Sequence, residues 1–218
     1  MAVIGGYWAE EEHYPVWRKA LEKLTSVNAN TVYPQCKLYL GTLLLYAIGL
    51  GALQAGRLDF IGFLFKIVIS NSYSTKLLAI ELLPPYCLIT NGCKELKTLE
   101  GMSGHYTPPN DWLRENVFRE ISKHLFSSNI QYEYIFDKFE VLISLSYANL
   151  VKRNWVPVGA YHDYANPNEN LIFLEIEDSI NKLEDASPFV KSDIFGGTLE
   201  KCGSSLVKVK DHLNKLAR

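Results

Sequence analysis

Carboxylate side chains cluster at two places in the sequence, and carboxylates grouped on one surface can bind a divalent cation. Glu133, Asp137 and Glu140 follow one another at positions i, i+4 and i+7, so a helix carries them on one face. No basic residue is placed beside them in the pattern of a nuclease, and we therefore predict a solvated helix face and no metal. A second acidic group lies in a later predicted helix and comprises Glu175, Glu177 and Asp178.

Cysteine and histidine are the usual zinc ligands, and three of them fall close together, at Cys87, Cys93 and His105. The five residues between Cys87 and Cys93 are more than separate the paired cysteines of a structural zinc site. Cys87 also stands in an apolar run, LLPPYCLI, where a buried thiol is common. We predict no metal site. A cysteine nucleophile with a histidine base stays open, because such pairs meet only in space, although no local signature supports it.

The sharpest short motif is Arg119-Glu-Ile-Ser-Lys-His124, an arginine and a histidine separated by four residues in a predicted helix. It resembles the signature of the HEPN ribonucleases, which are small, all-helical, dimeric RNA-cleaving domains. The resemblance implies that Arg119 stabilises phosphate charge. It also implies that His124 serves as acid, base or orienting group in metal-independent attack by the 2′-hydroxyl of RNA.

Chance and geometry both weaken this ribonuclease interpretation. With five histidines and the arginines of this chain, a match at some permitted spacing is expected about 0.4 times by chance. Residues five apart on one helix point about 140° apart, so we predict that Arg119 and His124 do not converge on one phosphate. The glycines at 101, 104, 196 and 197 match neither the Walker loop nor the dinucleotide fingerprint, and we predict no cofactor.

The elements that must position these residues are helical. Apolar stripes, prolines at first turns and capping residues mark the segments, and the predicted caps are Ser74 or Thr75, Asn110 or Asp111, and Thr198. The predicted helices cover about 13–26, 34–56, 58–70, 74–83, 93–99, 111–126, 131–152, 168–184 and 198–216, with a helical turn from 187 that ends at Gly196-Gly197. Residues 155–164 break the helical period and predict an extended segment.

Residues 38–56 carry no charge, and this run of 19 residues approaches the length of a membrane span. Thr42, Gln54 and several glycines favour a central helix that is buried on all sides. Small residues at Ala47, Gly51 and Ala55 let a second helix approach the central helix closely. We expect residues 58–70 to form this second helix, antiparallel to the first. The predicted core comprises Leu45, Ile48, Ala52, Phe63, Ile67, Phe139 and Leu142, with Gly51 at a close helix contact.

Composition limits the class of protein. The chain has 218 residues, a net charge of −2, 48% hydrophobic residues and ample aromatic residues, which excludes a disordered chain. The near-neutral charge argues against binding to nucleic acid mainly through phosphates. The four scattered cysteines do not form a disulfide scaffold, and residues 1–8 lack the pattern of a signal peptide. We expect a cytoplasmic protein with reduced thiols. We also expect that the chain is a piece of a longer protein.

Four runs carry a second resemblance: LLYAIGLGALQAGR at 44–57, FDKFEVL at 136–142, WVPVG at 155–159 and IFGG at 194–197. In this order they resemble a helical region found C-terminal to sirtuin-like, TIR-like or NTP-binding domains in bacterial proteins, many of them suspected of anti-phage (antiviral) defence. The resemblance extends from about residue 17 to residue 213. It implies an appended module and no chemistry for these residues.

These observations predict a mainly α protein. We expect a single domain over residues 1–218, an irregular bundle of about seven to nine helices built on helical hairpins, with a minor extended segment near Trp155. The leading function is a non-catalytic interaction, sensing or assembly module that binds a partner protein or associates with itself. The alternatives are a HEPN-like ribonuclease using Arg119 and His124, and a membrane-associated helical hairpin.

Overall fold

The computed structural model describes residues 1–26, 34–70, 76–90, 109–151, 153, 155–159 and 168–216, and it confirms a mainly α fold. The helices are α1 (Ala2–Tyr7), α2 (Tyr14–Thr25), α3 (Pro34–Gln54), α4 (Leu58–Phe65), α5 (Ala79–Leu82), α6 (Pro85–Thr90), α7 (Pro109–Leu113), α8 (Arg119–Ser122), α9 (Asn129–Leu150), α10 (Leu171–Leu183), α11 (Pro188–Lys191) and α12 (Leu199–Leu216). Two short strands, β1 (Val68–Ser70) and β2 (Lys76–Leu78), pair antiparallel with Val68 opposite Leu78. Short 3₁₀ turns span Glu11–His13 and Glu184–Ala186, and a π-helical turn, Arg114–Phe118, joins α7 to α8.

Helix α3 lies at the centre of the fold, as its uncharged run from residue 38 onward predicts. Helices α1, α2, α4 and α9 pack around it. Its segment Lys37–Gln54 is long and apolar enough to cross a membrane, but 67% of that segment is buried inside the protein. Most of this apolar helix is therefore covered by its neighbours, although Leu40 on it is exposed.

The pairing of α3 with α9 holds the core together. The ring of Tyr46 on α3 stacks on Phe118 at 5.2 Å between centroids and meets the edge of Phe139 at 5.1 Å. The sequence predicts that the hairpin 34–70 packs against the helix pair 111–152, and these aromatic contacts confirm it. Six of the seven predicted core residues are buried: Leu45, Ile48, Ala52, Ile67, Phe139 and Leu142.

Phe63, the seventh, is only partly buried, so that prediction was wrong. Its ring stacks on Tyr14 at 4.6 Å, and the guanidinium of Arg18 lies 5.1 Å from the ring centroid. The side chain thus lies where α2 and α4 meet near the surface.

The close helix contact at Gly51 is confirmed, but its partner differs from the one expected. A Cβ atom at Gly51 would overlap the carbonyl oxygen of Val3, and a Cβ at Gly6 would overlap that of Ile48. Helix α1 therefore packs on α3 with the two backbones almost in contact. The sequence predicts no element here, because six residues with two adjacent glycines have no helical stripe.

Three predicted boundaries were also wrong. The helix expected over 58–70 ends at Phe65, and Val68 and Ile69 enter β1, which suits β-branched residues. The helix expected over 74–83 begins only at Ala79, where the Glu81 carboxylate accepts from the Leu78 amide at 2.9 Å. The predicted caps Ser74 and Thr75, and the predicted helix at 93–99, lie outside the described residues.

The third wrong boundary belongs to the helix expected over 111–126. It begins at Pro109, so the predicted caps Asn110 and Asp111 lie inside it, and it passes through the π turn before ending at Ser122.

The later helices follow their local signals. Ser128 caps α9 by accepting from the Gln131 amide at 3.2 Å, and Thr198 accepts from the Lys201 amide at the start of α12. Gly196 and Gly197 have φ values of 97° and 73°, which lets the chain turn sharply before α12. Residues 155–159 form neither helix nor strand, and residues 160–164 of the predicted extended segment lie outside the described residues.

Candidate functional site

The acidic row on α9 is buried, which contradicts the predicted solvated face. Glu140 is only 2% exposed and Asp137 is also buried, while Glu133 is half-buried. Helix α9 passes through the middle of the protein, and α7, the π turn and α8 cover the face that carries these carboxylates. A buried carboxylate requires hydrogen bonds or a counter-charge, so each of the three must have partners.

Two arginines from the covering segment supply the basic partners that the sequence pattern lacked. Arg114 Nη1 lies 3.2 Å from Asp137 Oδ1. Arg119 Nη2 lies 3.0 Å from Glu133 Oε1 and 2.6 Å from Glu115 Oε2. The acidic face of α9 is thus an ion-pair seam between two helical segments.

The π turn explains why both arginines reach α9. A π turn closes on the fifth residue instead of the fourth, so Arg114 and Arg119, which are five apart, face the same way. Tyr132 on α9 donates its hydroxyl hydrogen to the Arg114 carbonyl at 2.7 Å, and the Arg119 guanidinium lies 5.8 Å from the Tyr132 ring centroid. The ordinary helical period of 3.6 residues does not predict this alignment.

Burial controls the protonation of Asp137. Withdrawal from water raises the pKa of Asp137 to about 6, and the Arg114 guanidinium acts in the opposite direction. Burial also raises the pKa of Tyr132 well above its ordinary value. The seam therefore contains a carboxyl group that titrates near neutral pH.

Glu140 forms a second, separate polar cluster one turn further along α9. Its Oε1 accepts from the Tyr46 hydroxyl at 2.8 Å and from the Asn110 side-chain amide. Gly159 lies against the same carboxylate, so closely that a Cβ atom there would overlap Oε2. Ser144 Oγ, one turn beyond Glu140, donates to the Pro157 carbonyl at 2.5 Å. Residues 157–159 are thereby held across α9.

A small pocket opens beside this cluster. Its polar and aromatic lining comprises Tyr46, Tyr86, Asn110, Glu140, Ser144 and Gly159. The Tyr86 ring packs on Trp155 at 4.7 Å between centroids. The pocket thus lies where α3, α6, α7, α9 and the 155–159 segment meet, and we call it the Glu140 pocket.

The structure places the two ribonuclease candidates differently. Arg119 is held by two carboxylates at the start of α8, whereas His124 is exposed in the turn that follows this helix. Because α8 ends at Ser122, the two residues do not share a helix. The side chains are not in contact with each other.

The second acidic group is ion-paired. Glu175 accepts from Lys138 Nζ at 2.6 Å and from the Tyr134 hydroxyl, which joins α10 to α9. Glu177 pairs with Lys210 on α12 at 2.5 Å, and Asp178 pairs with Lys182 one turn along α10. Glu175 and Glu177 thus link α10 to α9 and α12, whereas the Asp178–Lys182 pair lies within α10 and is exposed to solvent.

The thiol of Cys87 is buried, and burial raises its pKa to about 12, so it stays protonated. Cys93 and His105 lie outside the described residues. Within the described part of the chain, no three His, Cys, Asp or Glu side chains are grouped so as to hold a metal ion.

The sequence matches no protein-family model, and no curated protein and no solved structure is significantly similar to it. The surfaces and the pocket of the chain itself therefore carry the functional argument.

Proposed function

We propose that the protein is a non-catalytic helical assembly module that works in the cytoplasm, of the kind appended to effector domains in bacterial defence proteins, and that it acts by self-association. The observation that carries this proposal is an apolar surface on α9 and α10. Ile130 and Leu171 are 80% and 76% exposed. Tyr134, one turn after Ile130, and Leu174, one turn after Leu171, are also exposed. We call these four residues the α9–α10 patch.

The two helices hold the α9–α10 patch in one orientation. Glu175 on α10 accepts from both Tyr134 and Lys138 on α9. Ile130 lies one turn from Tyr134, and Leu171 lies one turn from Glu175, so the apolar side chains flank this link. Exposed apolar residues on two linked helices are the kind of feature that interaction sites contain.

A second copy of the chain is the partner that this surface suits. Pairing about a two-fold axis brings the same patch from each copy together, and an apolar patch is complementary to itself. The tyrosine adds a side chain of the type that is enriched at the energetic centre of interfaces. A small patch of this kind predicts a reversible dimer that forms as concentration rises.

The polar residues of the interior support a structural role in place of catalysis. Asp137 and Glu133 pair with arginines, and Glu140 accepts from a tyrosine and an asparagine. A ribonuclease would need Arg119 to leave Glu115 and Glu133 in order to reach a phosphate.

Sedimentation velocity over a wide range of concentration tests the proposal. We expect the natural protein to form dimers and the double variant Ile130→Glu, Leu171→Glu to stay monomeric. Both residues are exposed, so the variant should keep its fold. The control is Val16→Glu, which alters a residue of similar exposure on α2 and should leave dimerisation unchanged. A natural protein that stays monomeric at all concentrations would show the proposal to be wrong.

A further inference from the structure

We propose that Lys138 controls the self-association of the protein, because it neutralises the Glu175 carboxylate inside the α9–α10 patch before two copies of the chain meet. The inference rests on the proposed function and concerns the same surface. It assigns a role in association to a lysine that contributes little exposed area of its own. It follows from the position of one ion pair and from the symmetry of a dimer.

Glu175 lies within the α9–α10 patch. Its Oε2 accepts from the hydroxyl of Tyr134, which is itself a member of the patch. On α10, Glu175 directly follows Leu174 and lies one turn after Leu171. The side chain of Glu175 is 44% exposed. A second copy that covers these neighbours therefore also withdraws the Glu175 carboxylate from water.

Lys138 supplies the counter-charge for Glu175. Its Nζ lies 2.6 Å from Glu175 Oε1 and 5.6 Å from the centroid of the Tyr134 ring, and its side chain is only 14% exposed. Burial acts to raise the pKa of Glu175, but the hydrogen bonds from Lys138 and Tyr134 and the charge of Lys138 outweigh it, so this pKa lies below its ordinary value. Glu175 is therefore ionised at neutral pH, and Lys138 balances its charge within the same copy.

The symmetry of the dimer makes this balance decisive. Pairing about a two-fold axis brings the same patch from each copy together, so it places both Glu175 carboxylates in one interface. Like charges in one interface oppose association, and a carboxylate that loses water without gaining a partner opposes it further. Lys138 removes both penalties, because each copy enters the interface with a neutral pair.

A second ion pair on the same helix provides a matched control. Lys210 Nζ on α12 lies 2.5 Å from Glu177 Oε1, and the Lys210 side chain is 13% exposed. Two positions along a helix correspond to a rotation of about 200°, so Glu177 and Glu175 lie on opposite sides of α10. Replacing Lys210 therefore leaves a similar carboxylate on α10 without its lysine but does not change the charge of the α9–α10 patch.

Sedimentation velocity at neutral pH on the natural protein and three variants tests the inference. The dissociation constant of the dimer should rise about tenfold or more in Lys138→Met. It should return close to the natural value when Glu175→Gln is added to Lys138→Met, because the amide carries no charge. Lys210→Met should dimerise as the natural protein does.

The pH dependence of association gives a second readout that a mere packing role would not change. Among the described residues, only Lys138 and Tyr134 act on the pKa of Glu175, and Lys210 of α12 is held by Glu177. In Lys138→Met, protonation of Glu175 removes the unbalanced charge. Lowering the pH from about 7 to about 5 should therefore strengthen the Lys138→Met dimer relative to the natural one. The double variant should lack this response.

The possible outcomes separate this inference from the proposed function. An unchanged dissociation constant in Lys138→Met, or equal weakening in the single and double variants, would overturn the inference while the natural protein still dimerises. A natural protein that stays monomeric at all concentrations contradicts the proposed function and this inference together. If Lys138→Met does not fold, as judged by circular dichroism, Lys138→Gln takes its place with the same expected results.

Discussion

Arg114 and Asp137 form an ion pair with 3.2 Å between Nη1 and Oδ1, and both side chains are largely withdrawn from water. The pair links the π turn to the middle of α9. Removing two charges from water is costly, and their attraction recovers that cost only in part. The raised pKa of Asp137 expresses this balance, because the folded protein binds a proton at that carboxyl more tightly than an unfolded chain does.

Asp137 should therefore make the protein less stable as the pH rises from about 4 to about 6. Its pKa is raised from 3.8 to about 6, so its contribution to the free energy of unfolding falls across that interval and is constant above it. The full effect is roughly 2–3 kcal/mol. Urea unfolding at several pH values measures it. Asp137→Asn should remove this decline, and an unchanged pH dependence in the variant would contradict the assignment.

Arg114 and Arg119 should differ sharply when each is replaced by methionine. Arg114→Met leaves the buried Asp137 carboxylate without its arginine and should cost up to about 3–5 kcal/mol at neutral pH. Arg119→Met disrupts pairs with Glu115 and Glu133, both more exposed, and should cost about 0–1 kcal/mol. Chemical unfolding of the two variants provides the comparison. Equal losses of unfolding free energy in the two variants would contradict this difference between the buried Arg114–Asp137 pair and the more exposed pairs of Arg119.

Gly51→Ala should destabilise the protein, because the new methyl group overlaps the Val3 carbonyl oxygen and forces α1 away from α3. We expect a loss of about 1–3 kcal/mol, and a larger one for Gly51→Leu. The matched control is Gly203→Ala in α12, where a Cβ atom meets nothing within 4 Å. That variant should gain about 0.4–1 kcal/mol through its better helix propensity. Equal melting temperatures for the natural protein and Gly51→Ala would mean that α1 does not pack as described.

The purified protein should leave single-stranded RNA intact. Arg119 is engaged by two carboxylates, and His124 lies beyond the end of α8, so no phosphate is held between them. A gel assay with labelled RNA measures this. Cleavage that is lost in both Arg119→Ala and His124→Ala, with the fold retained, would instead establish the ribonuclease alternative and displace the assembly proposal.

The sequence by itself determined the elements whose signals are local. The apolar stripe in residues 131–152 predicts α9, although it does not predict the cap Ser128, and Thr198 after two glycines predicts the start of α12. The uncharged run in α3 predicts a helix enclosed on all sides. These predictions depend on residues within a few turns of one another, because capping and helical periodicity act over that distance.

Only the tertiary structure decided the site. Glu140 meets Tyr46, which is 94 residues away in the chain, and α1 forms against α3 without a helical stripe of its own. The solvated face of α9 was predicted because no basic partner stands near its carboxylates in the sequence, and the π turn brings Arg114 and Arg119 to that face from a preceding segment. Whether a carboxylate is solvated or buried depends on which distant segment covers it, and no local pattern in one sequence records that.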